Sequence, residues 1–144
     1  MMEKVLSLLG LMKKAGAIAC GEDNSIEAVR EGKGKLLVLA SDASDNARRR
    51  ADSLCSGRKL IKLELQCTKA ELAWALGMSS CSMAAICDLG FAAALVKELG
   101  RMEPGRYDEI SALLQQRYDK ARRRKAEKRR RGGMKSKGIK EDNI

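Results

Sequence analysis

The sequence predicts an α/β fold in which helices and strands alternate around a central sheet. Three observations carry this. Leu36 to Ala40 is a continuous apolar run bounded by polar residues, as expected of a strand covered on both faces. Two further short runs, "KLIKLEL" and "SMAAIC", have strand character, the first by alternation and the second by burial. Stretches with helical spacing separate them, each closed by glycine or opened by a capping residue.

Taken in order, Val5, Leu8, Leu9 and Met12 fall on one stripe of a first helix, Val5 to Ala15, with Gly16 as its stop. An extended link, Ala17 to Cys20, leads to a second helix from about Asn24 to Glu31, closed by Gly32. Asn24 and Glu27 stand at the spacing of an N-cap and its N3 partner, a capping box. After the apolar strand, "SDASDN" is dense in turn and cap residues and launches a third helix, Ala47 to Cys55. "KLIKLEL" follows. Thr68 and Glu71 form a second capping-box pair, so "TKAELAWALG" is a fourth helix that ends at Gly77. "SMAAIC" is the last strand, and Leu89 to Leu99 a fifth helix.

Pro104-Gly105 breaks the chain where the sandwich ends, dividing a domain at residues 1–103 from a segment at residues 104–144. That segment reads as a helix with Ile110, Leu113, Leu114 and Tyr118 on its apolar stripe. Beyond about residue 120 the stripe is lost and like charges repel, which predicts a frayed or disordered basic tail.

Charge divides the chain the same way. The formal net charge is +10, but residues 1–116 hold sixteen Lys and Arg against fifteen Asp and Glu, whereas residues 117–144 hold thirteen against four. A nearly neutral body therefore carries a basic arm. Arms of this kind bind nucleic acid through counterion release, and Arg122, Arg123, Arg124, Lys125, Arg129, Arg130 and Arg131 are its candidate contacts. A membrane surface would require interleaved bulky apolar residues, which the arm lacks.

The chain has no histidine, which removes imidazole bases, Ser-His and Cys-His nucleophile pairs, and His-ligated zinc. Its five cysteines have wide spacings and no CxxC pair, and read as small buried residues in a reducing cytoplasm. Asp42, Asp45 and Asp88 sit in turn and cap contexts rather than as metal ligands. No enzyme activity, cofactor, metal or small-molecule substrate is expected. The first twenty residues imitate a secretion signal, but Lys13 and Lys14 interrupt the apolar stretch, and an amphipathic helix is the expected reading. No run of eighteen apolar residues exists for a membrane span.

The stretch "LLGLMKKAGAIACGEDNSIEAVREGKGKLLVLASDAS", followed by "TKAELAWALG" and "AAICDLGFAAALVKEL", resembles the L7Ae/L30e ribosomal-protein superfamily, and within it the bacterial ribosomal-like paralogs. The likeness spans about residues 3 to 100. It implies a three-layer α/β/α sandwich and recognition of structured RNA, typically kink-turns, with ribosomal RNA the expected partner. It also implies an RNA surface built from three segments: Gly21, Glu22, Asp23, Asn24 and Glu27; Ser41, Asp42, Ala43 and Ser44; and the loop ending in Ser80, Cys81, Ser82, Met83 and Ala84.

A helix N-terminus preceded by glycine suits phosphate, and two-pronged polar side chains suit purine edges. Kink-turn binders of this family carry Asn or Lys, then Glu or Gln, then Lys three residues on. Those places here hold Asp23, Asn24 and Glu27, and a carboxylate at Glu27 replaces phosphate attraction with repulsion. Lys33 and Lys35 are read as better phosphate candidates than Arg48, Arg49 and Arg50, which fit a solvated helix face. Two functions follow: a structured-RNA binder associated with ribosomes or another ribonucleoprotein, or a protein-interaction module on the same fold with a degenerate RNA face.

Overall fold

The structure is a computed structural model that describes the backbone of residues 2–142 and the side chains of residues 2–131. Helix α1 (Glu3–Lys14), strand β1 (Ile18–Cys20) and helix α2 (Glu22–Arg30) are followed by β2 (Leu36–Leu39), α3 (Asp45–Cys55) and β3 (Ile61–Glu64). Helix α4 (Lys69–Leu76), β4 (Met83–Ile86), α5 (Leu89–Met102) and α6 (Asp108–Asp142) complete the chain.

The strands form one sheet in the order β1-β4-β2-β3. β4 is antiparallel to both β1 and β2, whereas β3 lies parallel to β2. The register sets Cys20 beside Ala84, Leu39 beside Met83 and Leu39 beside Glu64. One end of the sheet therefore gathers the C-termini of β1, β2 and β3 with the N-terminus of β4. The other end gathers the chain before β2 and β3 and after β4.

Alternation along the central strands divides the core into two layers. Leu36, Val38, Ala84 and Ile86 face α1, α4 and α5, packing with Leu9, Met12, Leu72, Leu76 and Leu95. Leu37, Leu39, Met83 and Ala85 face α2 and α3, meeting Val29, Ala47, Ala51 and Leu54. The result is the expected three-layer α/β/α sandwich, with β2 and β4 buried at every position.

Several boundaries differ from the sequence expectation, each for a local reason. Helix α2 begins at Glu22, with Gly21 as its N-cap at φ +90°. That left-handed turn lets the helix start directly after β1, so Asn24 lies inside the first turn and is not a cap. Helix α3 begins at Asp45 because the Ser44 hydroxyl accepts from the Ala47 N–H. At α4 the predicted capping box is complete: Thr68 accepts from the Glu71 N–H, and Glu71 accepts from that of Thr68.

The buried stripe starts at Tyr107, just before α6, and continues in the helix through Leu114, with Ile110 and Tyr118 half-buried, while Leu113 is 38% exposed. Tyr118 lies against Gly90 of α5, where an added Cβ would sit 3.1 Å from its ring. The helical backbone runs on to Asp142. Ala, Lys, Arg, Glu and Gln, which dominate residues 112–131, are all strong helix formers. Arg122 also lies over the Tyr118 ring at 5.5 Å, a cation–π contact one turn along.

Candidate nucleic-acid interface

The three segments singled out from the sequence converge on one end of the sheet. Gly21 donates to the Met83 carbonyl (2.9 Å), and an added Cβ on Gly21 would lie 3.4 Å from the Met78 side chain. Ala40 donates to the Ser82 carbonyl (2.9 Å) and Ser41 to that of Cys67 (2.8 Å). The start of α2, the loop after β2 and the loop before β4 are therefore stitched together by main-chain bonds.

What each residue offers a partner differs sharply. Helices α3, α4 and α5 are capped by the side chains of Ser44, Thr68 and Asp88, but Gly21 supplies no capping side chain to α2. The first-turn N–H groups of α2, at the positive end of its dipole, are left to solvent or ligand. Around them stand the carboxylates of Glu22, Asp23 and Glu27. Glu22 is held by the Arg50 guanidinium at 2.6 Å, whereas Asp23 and Glu27 are exposed.

Asn24 donates one Nδ2 hydrogen to the Cys20 carbonyl at 2.9 Å, tying the helix start to the end of β1. Among the described residues its Oδ1 has no protein partner, which leaves an acceptor beside a remaining N–H donor. Ser25, which sequence reasoning passed over, is wholly buried beneath this turn. A serine one residue past a capping candidate was the available signal.

The loop after β2 is consumed by the protein. Ser41 Oγ donates to the Cys67 carbonyl (3.1 Å), Asp42 accepts from the Lys69 N–H (2.7 Å), Ala43 is buried, and Ser44 caps α3. Arg48 clamps the loop from the side: it donates to the carbonyls of Ala43 (3.2 Å) and Ser41 (2.9 Å) and forms an ion pair with Glu64. The arginine read as part of a solvated face is thus a tether. This loop forms a wall of fixed shape with few free donors.

In the third segment Ser79 and Ser80 are exposed and Met78 and Ser82 half-buried. Cys81, Met83 and Ala84 are corrected: all three are buried, and Met83 and Ala84 belong to β4, whose side chains face the two cores. Burial pushes the Cys81 thiol above its ordinary range, which disfavours the thiolate. Desolvation raises Cys20, Cys55 and Cys87 too, and Cys67 reaches about 11.

Lys33 and Lys35 lie away from this edge. They follow the C-terminus of α2 and precede β2, and Lys35 donates its N–H to Ile86 at the far end of β4 (2.7 Å). The length of β2 thus separates Lys35 from Ser41, by about 20 Å over about six extended residue steps. Lys33 is in addition paired with Glu31 at 2.8 Å, a hydrogen bond that lowers the carboxyl and raises the ammonium. Arg122 to Arg131 lie on α6, outside this edge, and Arg122 is engaged with Tyr118. Among the described residues no cluster of three or more acidic or thiol groups is placed to hold a metal ion. No described helix is long and apolar enough to cross a membrane.

The arrangement and the sequence both match one family, described as the ribosomal protein L7Ae/L30e/S12e/Gadd45 family, over residues 3–96. The chain belongs to this family. Among curated relatives it is 32% identical over 92 residues to the RNA-binding protein YlxQ of Bacillus subtilis (strain 168), covering 64% of this chain and 91% of that one. The RNA-binding protein YlxQ of Enterococcus faecium is 31% identical over 90 residues, covering 62% and 85%. Among solved structures, a protein of unknown function from Bacillus halodurans C superposes with a TM-score of 0.60 at 28% identity, covering 65% of this chain and 94% of that one. The Giardia lamblia 15.5kD RNA binding protein shares the fold at a TM-score of 0.55 and 20% identity, covering 69% and 85%. Helix α6 lies wholly beyond the family match, which ends at residue 96.

Proposed function

We propose that this protein is a non-enzymatic RNA-binding protein that recognises structured RNA, with kink-turns as its preferred class, as part of a ribosome or other ribonucleoprotein. One observation carries the reading: in a chain of this family, the uncapped start of α2 and the loops at residues 41–44 and 78–82 meet at one sheet end. The relatives named RNA-binding protein YlxQ support the same chemistry. An enzyme is disfavoured by the absence of histidine and by thiols that burial holds protonated.

In this reading the helix start receives the RNA backbone, Asn24 reads a base edge with its free acceptor and donor, and the clamped loop at residues 41–44 supplies shape. Exposed Glu27 favours the second reading, a protein-interaction module whose RNA face has degenerated. A titration of the full chain separates them. The RNA reader binds a kink-turn duplex at least tenfold more tightly than a straight duplex of equal length, and Asn24→Ala abolishes that preference. Glu27→Lys raises affinity for both. Equal affinity for bent and straight RNA in the unmodified protein defeats specific recognition and leaves the interaction module.

A further inference from the structure

The edge described above is poor in free cations, so the chain's positive charge must act elsewhere. At the opposite end of the sheet lies a cleft of about 750 Å³, floored by Val29, Leu60 and Leu89. Its rim is entirely cationic among the charged residues that line it. Lys35, Arg58 and Lys59 come from the segments before β2 and β3, Arg30 from the end of α2, and Arg117, Lys120 and Arg124 from α6. Among the described residues none of these seven takes part in a salt bridge. The acids that adjoin these residues along the chain are engaged: Glu31 pairs with Lys33, and Asp119 accepts from the Gln115 amide at 3.2 Å.

Two of the seven are structural as well. Arg58 donates to the Leu54 carbonyl and Arg117 to that of Lys59, both at 2.8 Å. The second bond ties α6 to the segment before β3, so the far wall of the cleft is fixed in place. A second cleft, of about 640 Å³ between α2 and α3, shares Arg30 and Arg58 and adds Arg49 and Arg50, of which Arg50 is paired with Glu22 outside the lining. It extends towards Asn46, beside the start of α3 and hence beside the family's edge. The two clefts make one cationic track, from that edge along the α2/α3 groove to the point where α6 carries the basic arm away from the body.

We infer that this track is a second RNA-binding surface, which holds the phosphate backbone of the RNA stem that leaves the edge and passes it to the arm. The inference rests on the RNA-binding reading above. Backbone RNA fits better than an acidic protein for two reasons. The track is long and continuous and presents mostly guanidinium groups, whose fork matches phosphate. It also contains no aromatic side chain for stacking, and the Oδ1 of the one amide that lines it, Asn46, already accepts from Arg49 at 3.2 Å, so its contacts are to charge and not to sequence.

The test uses the full chain and substitutes three exposed track residues that make no tethering side-chain bond: Arg30→Gln, Lys59→Gln and Lys120→Gln together. Unchanged thermal melting verifies the fold. Binding of bent and straight duplex RNA is then measured across a salt series. The triple variant is expected to lose at least tenfold in affinity for both RNAs equally, and its salt slope to fall by about 2 to 3, near one per phosphate contact removed. Unchanged affinity and slope overturn the inference. Loss of binding to polyglutamate with RNA binding intact also overturns it, in favour of an acidic protein partner. Asn24→Ala serves as the independent arm. If it fails to alter the preference for bent RNA while the track variant still lowers affinity and slope, the edge reading fails and the track stands alone.

Discussion

Gly21 and Cys67 show how single residues act on the site and on stability. Gly21 adopts φ +90°, and any L side chain there is strained, so Gly21→Ala displaces the start of α2. Cys67 lies under the Ser41 loop, where its carbonyl accepts two bonds, and burial holds its thiol at about 11. The unfolded chain ionises this thiol at its ordinary value near 9, so the folded state binds the proton more tightly. Stability is therefore intact below that value and falls as pH rises towards 11, by about 3 kcal/mol at most. Burial shifts the other four cysteines the same way and adds to the loss. Melting measured from pH 7 to 10.5 should show a steep fall above pH 9 that Cys67→Ala reduces; a flat profile would refute it. Residue roles were the least legible part of the sequence. The resemblance draws Met83 and Ala84 into the loop although the apolar run "SMAAIC" already places them on the last strand, and Arg48 reads as surface because its acceptors are main-chain carbonyls, which are invisible in a sequence.

Elements were far more legible, because caps and stops are local chemistry. The Thr68 and Glu71 pair closes α4 as its spacing predicts, and Asp88 caps α5 by accepting from the Phe91 N–H at 2.9 Å. Thr68→Ala leaves an orphan N–H and removes one half of the box, a cost of about 1 kcal/mol and a melting temperature lower by roughly 3 °C. Glu71→Gln retains an acceptor for the Thr68 N–H and should cost much less; equal losses in the two variants would show that charge and not the reciprocal bonds holds the helix start. The same spacing misleads at Asn24 and Glu27. Identical residue chemistry gives a different result there because the turn at Gly21 already ends the strand, and only the positive φ reveals that. Proximity misleads likewise for Lys33 and Lys35, which are near Ser41 in sequence but lie across the full length of β2 from it.

At the scale of the whole molecule, the division suggested by Pro104-Gly105 separates composition better than it separates packing. Tyr107 and Leu114 lie beyond the break yet are buried in the same core as Leu95 and Val96 of α5, while the Arg117 bond fixes α6 against the segment before β3. A chain ended at residue 103 loses both buried side chains and bares the face of α5 that they cover. Burial of one such side chain is worth about 1.5 to 3 kcal/mol, against a total stability of about 5 to 15 for a domain. The chain 1–103 is thus expected to melt at least 10 °C below the full protein or to aggregate. A chain ended at residue 121 keeps Tyr107, Leu114 and the Tyr118 contact with Gly90, and should melt within a few degrees of the full protein. It also discards Arg122 to Arg131, so it binds RNA with a shallower salt slope while retaining any preference for bent over straight duplexes. Melting of the 1–103 and 1–121 chains side by side decides the matter: if both match the full protein, the first turns of α6 contribute nothing to the core, and the arm is an appendage from its first residue.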